Sequence, residues 1–305
     1  MLWLYILLFF LILVAVCFLL GQSLASHAMG IHRQTLEEAR AWQEAHYDIS
    51  WYDQLQKTSY VVSSYDGYLL HAEYIHNPSS LHRCVILSHG YTDNHFGSLK
   101  YTKMYLDLGF DVLLYDLRGH GSNEETFCTY SIQEAKDLAE VIQDTRKRFT
   151  DLTFLGLHGE SLGAATSVAV LKYAPDIDFV VEDCGFSEIT SILRAGLVKM
   201  HLPGALVHLA SLCARLRYGV WFHDMRPIDS LRGNRIPILF LHGAEDDFIP
   251  PSHAESMQSV TEGFCERYLI PCAGHAASIL TAPEAYQSHV QSFLEQISNP
   301  VHQAT

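Results

Sequence analysis

The chain has 305 residues, 49% of them hydrophobic, and a formal net charge of −14 at pH 7. This length and apolar content are enough to bury one sizeable core together with an insertion. The acidic balance argues against a nucleic-acid partner, because binding phosphates requires a basic face. The sequence has no Walker or G-x-G-x-x-G loop and no C-x-x-C or H-E-x-x-H spacing, so we expect neither a nucleotide cofactor nor a metal.

Residues 1–20 are apolar and contain no charged side chain. As a helix they span about 30 Å, enough for the hydrocarbon core of a bilayer. We therefore predict a single-pass N-terminal membrane anchor. The alternative is a cleaved signal peptide with a small-x-small site at residues 23–25, although a basic start is missing and the apolar stretch is longer than usual.

The sequence leaves undecided on which side of the membrane the rest of the chain lies. Arg33 and Arg40 follow the apolar segment and are offset by Glu37 and Glu38, which is a small bias toward the cytoplasm. Six cysteines outside the anchor show no paired framework, and unpaired thiols fit a reducing compartment.

Residues 21–56 are expected to form a linker that contains an amphipathic helix. Thr35 and Glu38 make a capping box for a helix that ends near His46. This helix either holds the domain away from the membrane, lies along the membrane surface, or packs on the sheet of the domain.

Residues 57–297 alternate between strand and helix patterns. Residues 59–65 and 68–76 predict a β-hairpin with a two-residue turn at Asp66-Gly67. Further strands are expected near 84–88, 111–115, 152–157, 178–182, 236–241 and 267–270, and a helix with a one-sided apolar stripe over 132–149. This alternation predicts an α/β fold with a mostly parallel central sheet and helices on both faces.

An apolar helical insertion at 187–234 interrupts the alternation between the sixth and seventh strands. It either caps a site and shapes a dry pocket for an acyl chain, or simply packs on the core. Residues 298–305 are expected to form a flexible tail.

The pattern G-x-S-x-G at 159–163 follows an apolar run and precedes a helix-compatible run of small residues. Strand, sharp turn and helix together are the context of a nucleophile elbow with Ser161 at its apex. Gly159 and Gly163 leave space for the strained turn, and the following helix directs its N-terminal N–H groups toward an oxyanion.

A serine nucleophile needs a base oriented by an acid, and on this kind of sheet the chain order is Ser, acid, His. Asp246 follows the strand at 236–241 and is our choice of acid; Asp247, Glu245 and Asp183 are its rivals. His275 lies in a small-residue loop after the last strand, which selects it as the base among 18 histidines.

The second oxyanion donor is expected in the loop after the strand at 84–88, where Gly90 permits close backbone approach. The backbone N–H groups of Tyr91 and Leu162 are therefore the predicted oxyanion hole. His89 precedes the serine, and we expect it to be a hydrogen-bonded support. Asp116 and Arg118 are expected to shape a turn.

With these motifs the chain resembles α/β-hydrolases of the serine-hydrolase type over roughly residues 57–297. It is also similar to bacterial members with an N-terminal membrane segment, grouped with serine aminopeptidase-like or prolyl-oligopeptidase-like domains. The resemblance implies the α/β-hydrolase fold, a cap at 187–234, a Ser-His-Asp triad and a carboxyl-ester or related acyl substrate. It does not fix the substrate, because this fold hosts many activities.

The expected activity is carboxylesterase- or lipase-like hydrolysis of small acyl esters through an acyl-enzyme, without a cofactor. A peptidase or acyltransferase with the same triad is the alternative within the enzymes. A non-catalytic, membrane-tethered interaction protein is the alternative outside them.

Overall fold

The computed structural model describes residues 1–298, so the predicted tail at 298–305 lies, apart from its first residue, outside the described residues. The described chain forms two compact units. The first joins Met1–Gly30 to Glu188–Met225, and the second contains Ile31–Ser187 and the residues from Arg226 onward.

The central sheet lies in the second unit, where the described residues form eight strands in the order β1-β2-β4-β3-β5-β6-β7-β8. β1 and β2 are antiparallel to each other, β2 is antiparallel to β4, and the remaining pairs are parallel. The strands are β1 Gln56–Ser63, β2 Leu69–His76, β3 Arg83–Ser88, β4 Phe110–Tyr115, β5 Phe154–Glu160, β6 Phe179–Asp183, β7 Ile238–Gly243 and β8 Cys265–Ile270. The predicted mostly parallel sheet is confirmed.

Eleven α-helices lie within residues 1–298. They are α1 Leu2–Met29, α2 Leu36–His46, α3 Ser50–Asp53, α4 Leu99–Asp107, α5 Ile132–Arg148, α6 Leu162–Ala169, α7 Ile189–Lys199, α8 Leu206–Tyr218, α9 Ser252–Val260, α10 Ser278–Thr281 and α11 Pro283–Ser298. Short 3₁₀ segments occupy His95–Ser98, Val170–Tyr173, Phe222–Asp224 and Pro227–Leu231.

The inner strands are buried along their whole length, as expected for parallel strands covered on both faces. All residues of β4, β6 and β7 are buried. Close packing is visible where Gly156 of β5 meets the Phe179 ring: a Cβ on Gly156 would lie 2.0 Å from its Cζ atom. Aromatic side chains including Tyr105, Phe110, Tyr286 and Phe293 fill the core on one side of the sheet.

The parallel direction of β3 and β5 to β8 brings the loops after these strands to one edge of the sheet. β3 ends at Ser88, β5 at Glu160, β7 at Gly243 and β8 at Ile270. All predicted site residues lie on the segments that follow these four ends, or on the last residues before them.

In the N-terminal half of the second unit, the predicted capping box is present and the predicted hairpin turn is corrected. The capping box of α2 is formed, with Glu38 N donating to Thr35 Oγ1 at 3.1 Å and Thr35 N to Glu38 Oε2 at 2.9 Å. The two-residue hairpin turn is wrong, because Ser63 pairs with Leu69 and residues 64–68 form the loop. Ser64 N donates to the carbonyl of Tyr68 and closes this wider turn.

In the first unit, α1 is long and apolar enough to cross a membrane. The helix continues nine residues beyond the predicted anchor end at Leu20, to Met29. The side chains of residues 2–20 are exposed, whereas Gly21, Ala25 and Met29 are buried.

Candidate active site

Ser161 occupies the sharp turn between β5 and α6 in a conformation that non-glycine residues rarely adopt, with φ 53° and ψ −110°. Two glycines make this turn possible. A Cβ on Gly159 would lie 2.2 Å from the Gly163 carbonyl oxygen, and one on Gly163 would lie 2.0 Å from the Ser88 carbonyl oxygen. The strand–turn–helix context predicted from the sequence is therefore present.

The first residue of α6 is Leu162, directly after Ser161. The first N–H groups of an α-helix have no partner within the helix, and the positive end of the helix dipole lies there. The Leu162 N–H is thus a donor at the start of α6, where the predicted oxyanion hole needs one.

The structure brings the three predicted triad residues together. His275 Nε2 lies 3.0 Å from Ser161 Oγ, and His275 Nδ1 lies 2.7 Å from Asp246 Oδ2. Both distances are within hydrogen-bonding range, so one imidazole connects the hydroxyl to the carboxylate. The arrangement allows His275 to accept the Ser161 proton while Asp246 holds the Nδ1–H tautomer.

Asp246 is buried and fully hydrogen-bonded. Its Oδ1 accepts from the backbone N–H groups of Phe248 and Ile249, and His242 Nε2 lies 3.3 Å from its Oδ2. Burial alone would raise the pKa of Asp246, but the hydrogen bonds from His242 and His275 outweigh it and hold the pKa below its usual range. Asp246 is therefore a carboxylate at neutral pH.

The rival acids are elsewhere. Glu245 and Asp247 are exposed at the surface of the same loop. Asp183 is buried and accepts hydrogen bonds from the hydroxyls of Tyr101 and Tyr286. Burial, with the nearby charge of Glu160, raises the pKa of Asp183 to about 6.

The loop after β3 approaches the serine through Gly90. A Cβ on Gly90 would lie 3.3 Å from Glu160 Oε1 and 3.9 Å from Ser161 Cβ. His89 is buried beneath this loop, with Nδ1 2.8 Å from the Gly90 carbonyl and Nε2 accepting from the Leu117 N–H at 2.9 Å. Burial lowers the pKa of His89 to about 3, so it is neutral.

This hydrogen bond from His89 constrains the following peptide unit. The Gly90 carbonyl and the Tyr91 N–H belong to one planar trans peptide and point in opposite directions. By holding the carbonyl, His89 orients the Tyr91 N–H, the second predicted oxyanion donor. The expected supporting role of His89 thus has a geometric basis.

Two buried charged residues missed by the sequence analysis connect the elbow to the histidine loop. Lys100 on α4 forms an ion pair with Glu160, and their side chains are only 6% and 8% exposed. Lys100 also donates to the carbonyl of Ala276, next to His275, at 3.2 Å. Burial lowers the pKa of Lys100, but the charge and hydrogen bond of Glu160, together with the nearby charge of Asp183, outweigh burial and raise the pKa, so Lys100 stays cationic.

A cleft of about 510 Å³ opens at Ser161 and His275. One wall comes from α2, so this helix lines the site rather than serving only as a spacer. Both apolar and polar side chains line the cleft, including Ala39, Trp42, Gln43, Tyr91, Asp93, Phe248 and Leu280.

A sequence profile described as "Alpha/beta hydrolase family" matches residues 85–287. The chain belongs to this family. The match spans the elbow, the Asp246 loop and the His275 loop, the three segments whose geometry is described above.

One curated protein and two solved structures illustrate what this α/β-hydrolase is similar to. The uncharacterized protein YqkD of Bacillus subtilis (strain 168) is 31% identical over 255 residues, covering 81% of this chain and 82% of that protein. The solved esterase Pf2001 of Pyrococcus furiosus has a TM-score of 0.67 at 20% identity, covering 88% and 98% of the two chains. Pyrococcus horikoshii acylaminoacyl peptidase has a TM-score of 0.61 at 14% identity and covers 83% and 43%. At such identities the two solved structures establish the shared fold.

The hydrolase cleft has a polar end near the elbow. Asp93, Lys100 and Glu160 line it together. Burial raises the pKa of Asp93 to about 6, so this carboxyl carries a proton part of the time near neutral pH. The apolar wall of Trp42, Phe248 and Leu280 and this polar end give the cleft two chemically different regions.

Among the described residues, Cys184, Asp246 and His275 form a group whose potential metal-ligand atoms lie within 4.8 Å of one another. Burial raises the pKa of the Cys184 thiol well above its usual value, which disfavours the thiolate that a metal requires. Asp246 and His275 are already hydrogen-bonded to each other. These donors fit a triad better than a metal site.

Asp116 and Arg118 shape their loop in the hydrolase unit. Asp116 Oδ1 accepts from His95 N and Nδ1, and its Oδ2 accepts from Ser122 N. Arg118 forms ion pairs with Asp66 and Asp137. These partners fix the turn, as expected for a structural pair.

Proposed function

We propose that this hydrolase is a serine esterase that cleaves carboxylic esters through an acyl-enzyme on Ser161. The observation that carries the proposal is the continuous hydrogen-bonded chain from Ser161 Oγ through His275 to Asp246. A serine hydroxyl is a weak nucleophile by itself, and such a chain supplies both the base and the group that orients it.

In the proposed reaction, His275 Nε2 takes the Ser161 proton while Oγ bonds to the acyl carbon. The carbonyl electrons move to the oxygen, and the N–H groups of Tyr91 and Leu162 stabilise the oxyanion, each contributing about 3–4 kcal/mol. The imidazolium of His275 is stabilised by the Asp246 carboxylate and then protonates the departing alkoxide. Water attacks the acyl-enzyme with His275 again as the base, which releases the acid and regenerates Ser161.

The cleft supports a small acyl substrate. Its volume of about 510 Å³ is in the range of small-molecule sites. The side chains of Trp42, Phe248 and Leu280 favour a short or medium acyl chain, and the polar end near Asp93 favours a substrate that carries a polar group.

The membrane proposal concerns α1. We take this helix as an uncleaved single-pass anchor, because it has the length and composition of a membrane span and its first nineteen residues present exposed apolar side chains. Retention of the protein in carbonate-washed membranes, together with an intact N-terminus by mass spectrometry, tests this. A mature protein that starts after residue 25 contradicts the anchor and supports the signal peptide.

The activity is tested with the detergent-solubilised full chain on p-nitrophenyl esters of graded acyl length. Ser161→Ala is the test variant, and the matched control is Ser259→Ala, which changes an exposed serine of α9. We expect turnover and fluorophosphonate labelling for the wild type and the control, and neither for Ser161→Ala.

Other outcomes separate the alternatives. Labelling of Ser161 without ester turnover favours a peptidase or acyltransferase and is followed by assays on acyl-peptides and on acyl transfer to alcohols. Absence of both labelling and turnover favours the non-catalytic interaction protein and contradicts the proposal.

A further inference from the structure

The second half of α1 packs against α8, a helix of the insertion. Gly21 allows the close approach of the two helices, since a Cβ there would lie 2.6 Å from Cys213 Sγ and 2.9 Å from Leu209 Cγ and would require these side chains to shift. Ala25 and Met29 follow at intervals of four residues and are buried on the same face of α1. Small residues at this spacing let two helices approach closely.

The contact lies at a definable height along α1. Residues 2–20 already span about 28 Å at 1.5 Å per residue, nearly the whole hydrocarbon core. Cys213 reaches the carbonyl of Phe18 at 3.9 Å, and Arg217 Nη1 donates to Ser26 Oγ at 2.8 Å. In a bilayer spanned by residues 2–20, α8 therefore lies at the level of the lipid headgroups.

At this same level α8 exposes apolar side chains. Leu212 is 45% exposed and Leu216 is 65% exposed, and the two are four residues apart on one face of the helix. At the end of α7, Val198 and Met200 are 58% and 56% exposed. Exposed leucines on a helix that packs beside a membrane span are typical of an interfacial helix.

The charge of this segment differs in sign from that of the rest of the chain. Residues 188–225 contain four Lys or Arg and two acidic residues, whereas the whole chain carries −14. Arg215 and Arg217 lie in the last turn of α8, next to Leu216. Basic side chains beside exposed leucines match a surface of anionic lipid.

From these observations we propose that α7 and α8 form a membrane-surface platform. Leu212 and Leu216 insert between lipid headgroups beside α1, and the basic side chains contact anionic lipid phosphates. The proposal rests on the membrane anchor proposed above and is independent of the esterase activity.

The test uses the full chain reconstituted in vesicles of phosphatidylcholine with phosphatidylglycerol and a doxyl-labelled lipid. In a Cys17→Ala, Cys265→Ser, Cys272→Ser background, a nitrobenzoxadiazole probe is attached at Leu212→Cys. Leu11→Cys in α1 reports the anchor, and Leu81→Cys, an exposed leucine of the second unit, is the matched control. We expect the doxyl lipid to quench the probe at positions 11 and 212 about twofold or more, with little effect at position 81.

Each alternative result has a separate meaning. Quenching at 11 but not at 212, or equal quenching at 212 and 81, overturns the platform and leaves the anchor intact. Absence of quenching at position 11 contradicts both the anchor and the platform. The result of the esterase assay does not depend on this outcome. If the probe at position 212 is shielded from iodide but is not quenched by the doxyl lipid, a second copy of the chain covers this face and the platform is overturned. If the quenching at position 212 does not depend on phosphatidylglycerol, the proposed contact with anionic lipid is contradicted.

Discussion

The imidazoles of His242 and His275 approach the same carboxylate oxygen, Oδ2 of Asp246, at 3.3 and 2.7 Å. The other oxygen of Asp246 accepts two backbone N–H groups. His242 is fully buried, and burial lowers its pKa, but the hydrogen bonds to Asp246 and Ile249 and the nearby charge of Glu182 together outweigh burial and raise the pKa. His242 Nε2 also lies 2.8 Å from the Ile249 carbonyl, so its one N–H is shared between that carbonyl and Asp246. We expect His242 to act as a positioning residue for the loop that carries the proposed triad acid.

Replacement of His242 tests this role. In His242→Ala, Asp246 and the Ile249 carbonyl lose their shared donor, and we expect kcat to fall about tenfold with KM little changed. His242→Gln keeps an N–H donor and is expected to recover part of kcat. Equal loss in both variants, or a change confined to KM, contradicts a role through Asp246.

The same variant has a pH signature. The folded-state pKa of Asp246 is lowered, so its ionised form stabilises the protein above the unfolded-state pKa, and this contribution is lost as pH falls through the folded pKa. Without His242 the folded pKa is closer to its usual value. Acid unfolding of His242→Ala, followed by circular dichroism, is therefore expected to begin at higher pH than in wild type.

The strained backbone at Ser161 separates activity from stability. Both Ser161→Ala and Ser161→Gly remove the nucleophile, and only glycine relieves the φ of 53°. We expect Ser161→Gly to be more stable than Ser161→Ala by about 1 kcal/mol in urea unfolding, with both inactive. Equal stability of the two variants means that the turn stores no strain.

Two glycines give opposite predictions for the same substitution. Gly163→Ala places a Cβ 2.0 Å from the Ser88 carbonyl oxygen, a backbone atom that cannot move aside, and we expect loss of several kcal/mol of stability and of activity. Gly196 in α7 has open space around its Cα, so Gly196→Ala is expected to stabilise by about 1 kcal/mol through helix propensity. Thermal unfolding of both variants checks the pair.

The Lys100–Glu160 ion pair is predicted to act in two ways. Lys100→Met leaves Glu160 buried without its cation, and we expect about 3–5 kcal/mol of destabilisation that Glu160→Gln in the double variant largely removes. The hydrogen bond from Lys100 to the Ala276 carbonyl is absent from both the single Lys100→Met variant and the double variant. We therefore expect kcat to stay low in the double variant. Recovery of both stability and kcat limits the pair to a structural role.

Because Glu182 is buried, we predict that the free energy of unfolding falls as the pH rises. Burial raises the pKa of Glu182 to about 8. Between the unfolded-state pKa near 4.5 and this value, the folded protein holds a proton that the unfolded chain releases, so stability falls as pH rises through this window. The side chain in Glu182→Gln is uncharged at every pH. We expect this variant to have a higher melting temperature than wild type at pH 8 and nearly the same melting temperature at pH 4.5. An equal change at both pH values contradicts an effect of Glu182 titration.

The positions that the sequence identified share a local signal. Ser161, Asp246 and His275 each follow a recognisable strand, and their order along the chain limits the choice. Whether they catalyse the proposed reaction stays a prediction. Asp246 differs from Glu245 and Asp247 in its burial and in its contact with His275, and a run of adjacent acidic residues reveals neither in the sequence.

Features that depend on distant segments were not predictable from local patterns. Lys100 comes from α4, 60 positions before Glu160, and nothing around it marks it as buried. The role of α2 as a wall of the cleft, through Trp42 and Gln43, likewise depends on tertiary packing. Glu160 did offer a signal, since it is a charged residue at the end of an otherwise apolar strand.

The contact between Gly21 and Cys213 also constrains how the chain is made. Phe18 and Cys213 are 195 positions apart, so the N-terminal helix emerges from the ribosome long before α8 exists. Throughout that interval the Gly21 face has no partner from its own chain, and pairing it requires closure of a very long loop. A shortened chain that begins after α1 leaves the matching face of α8, with Leu209 and Cys213, uncovered, so the first helix is a folding partner of α8 whether or not it crosses a membrane.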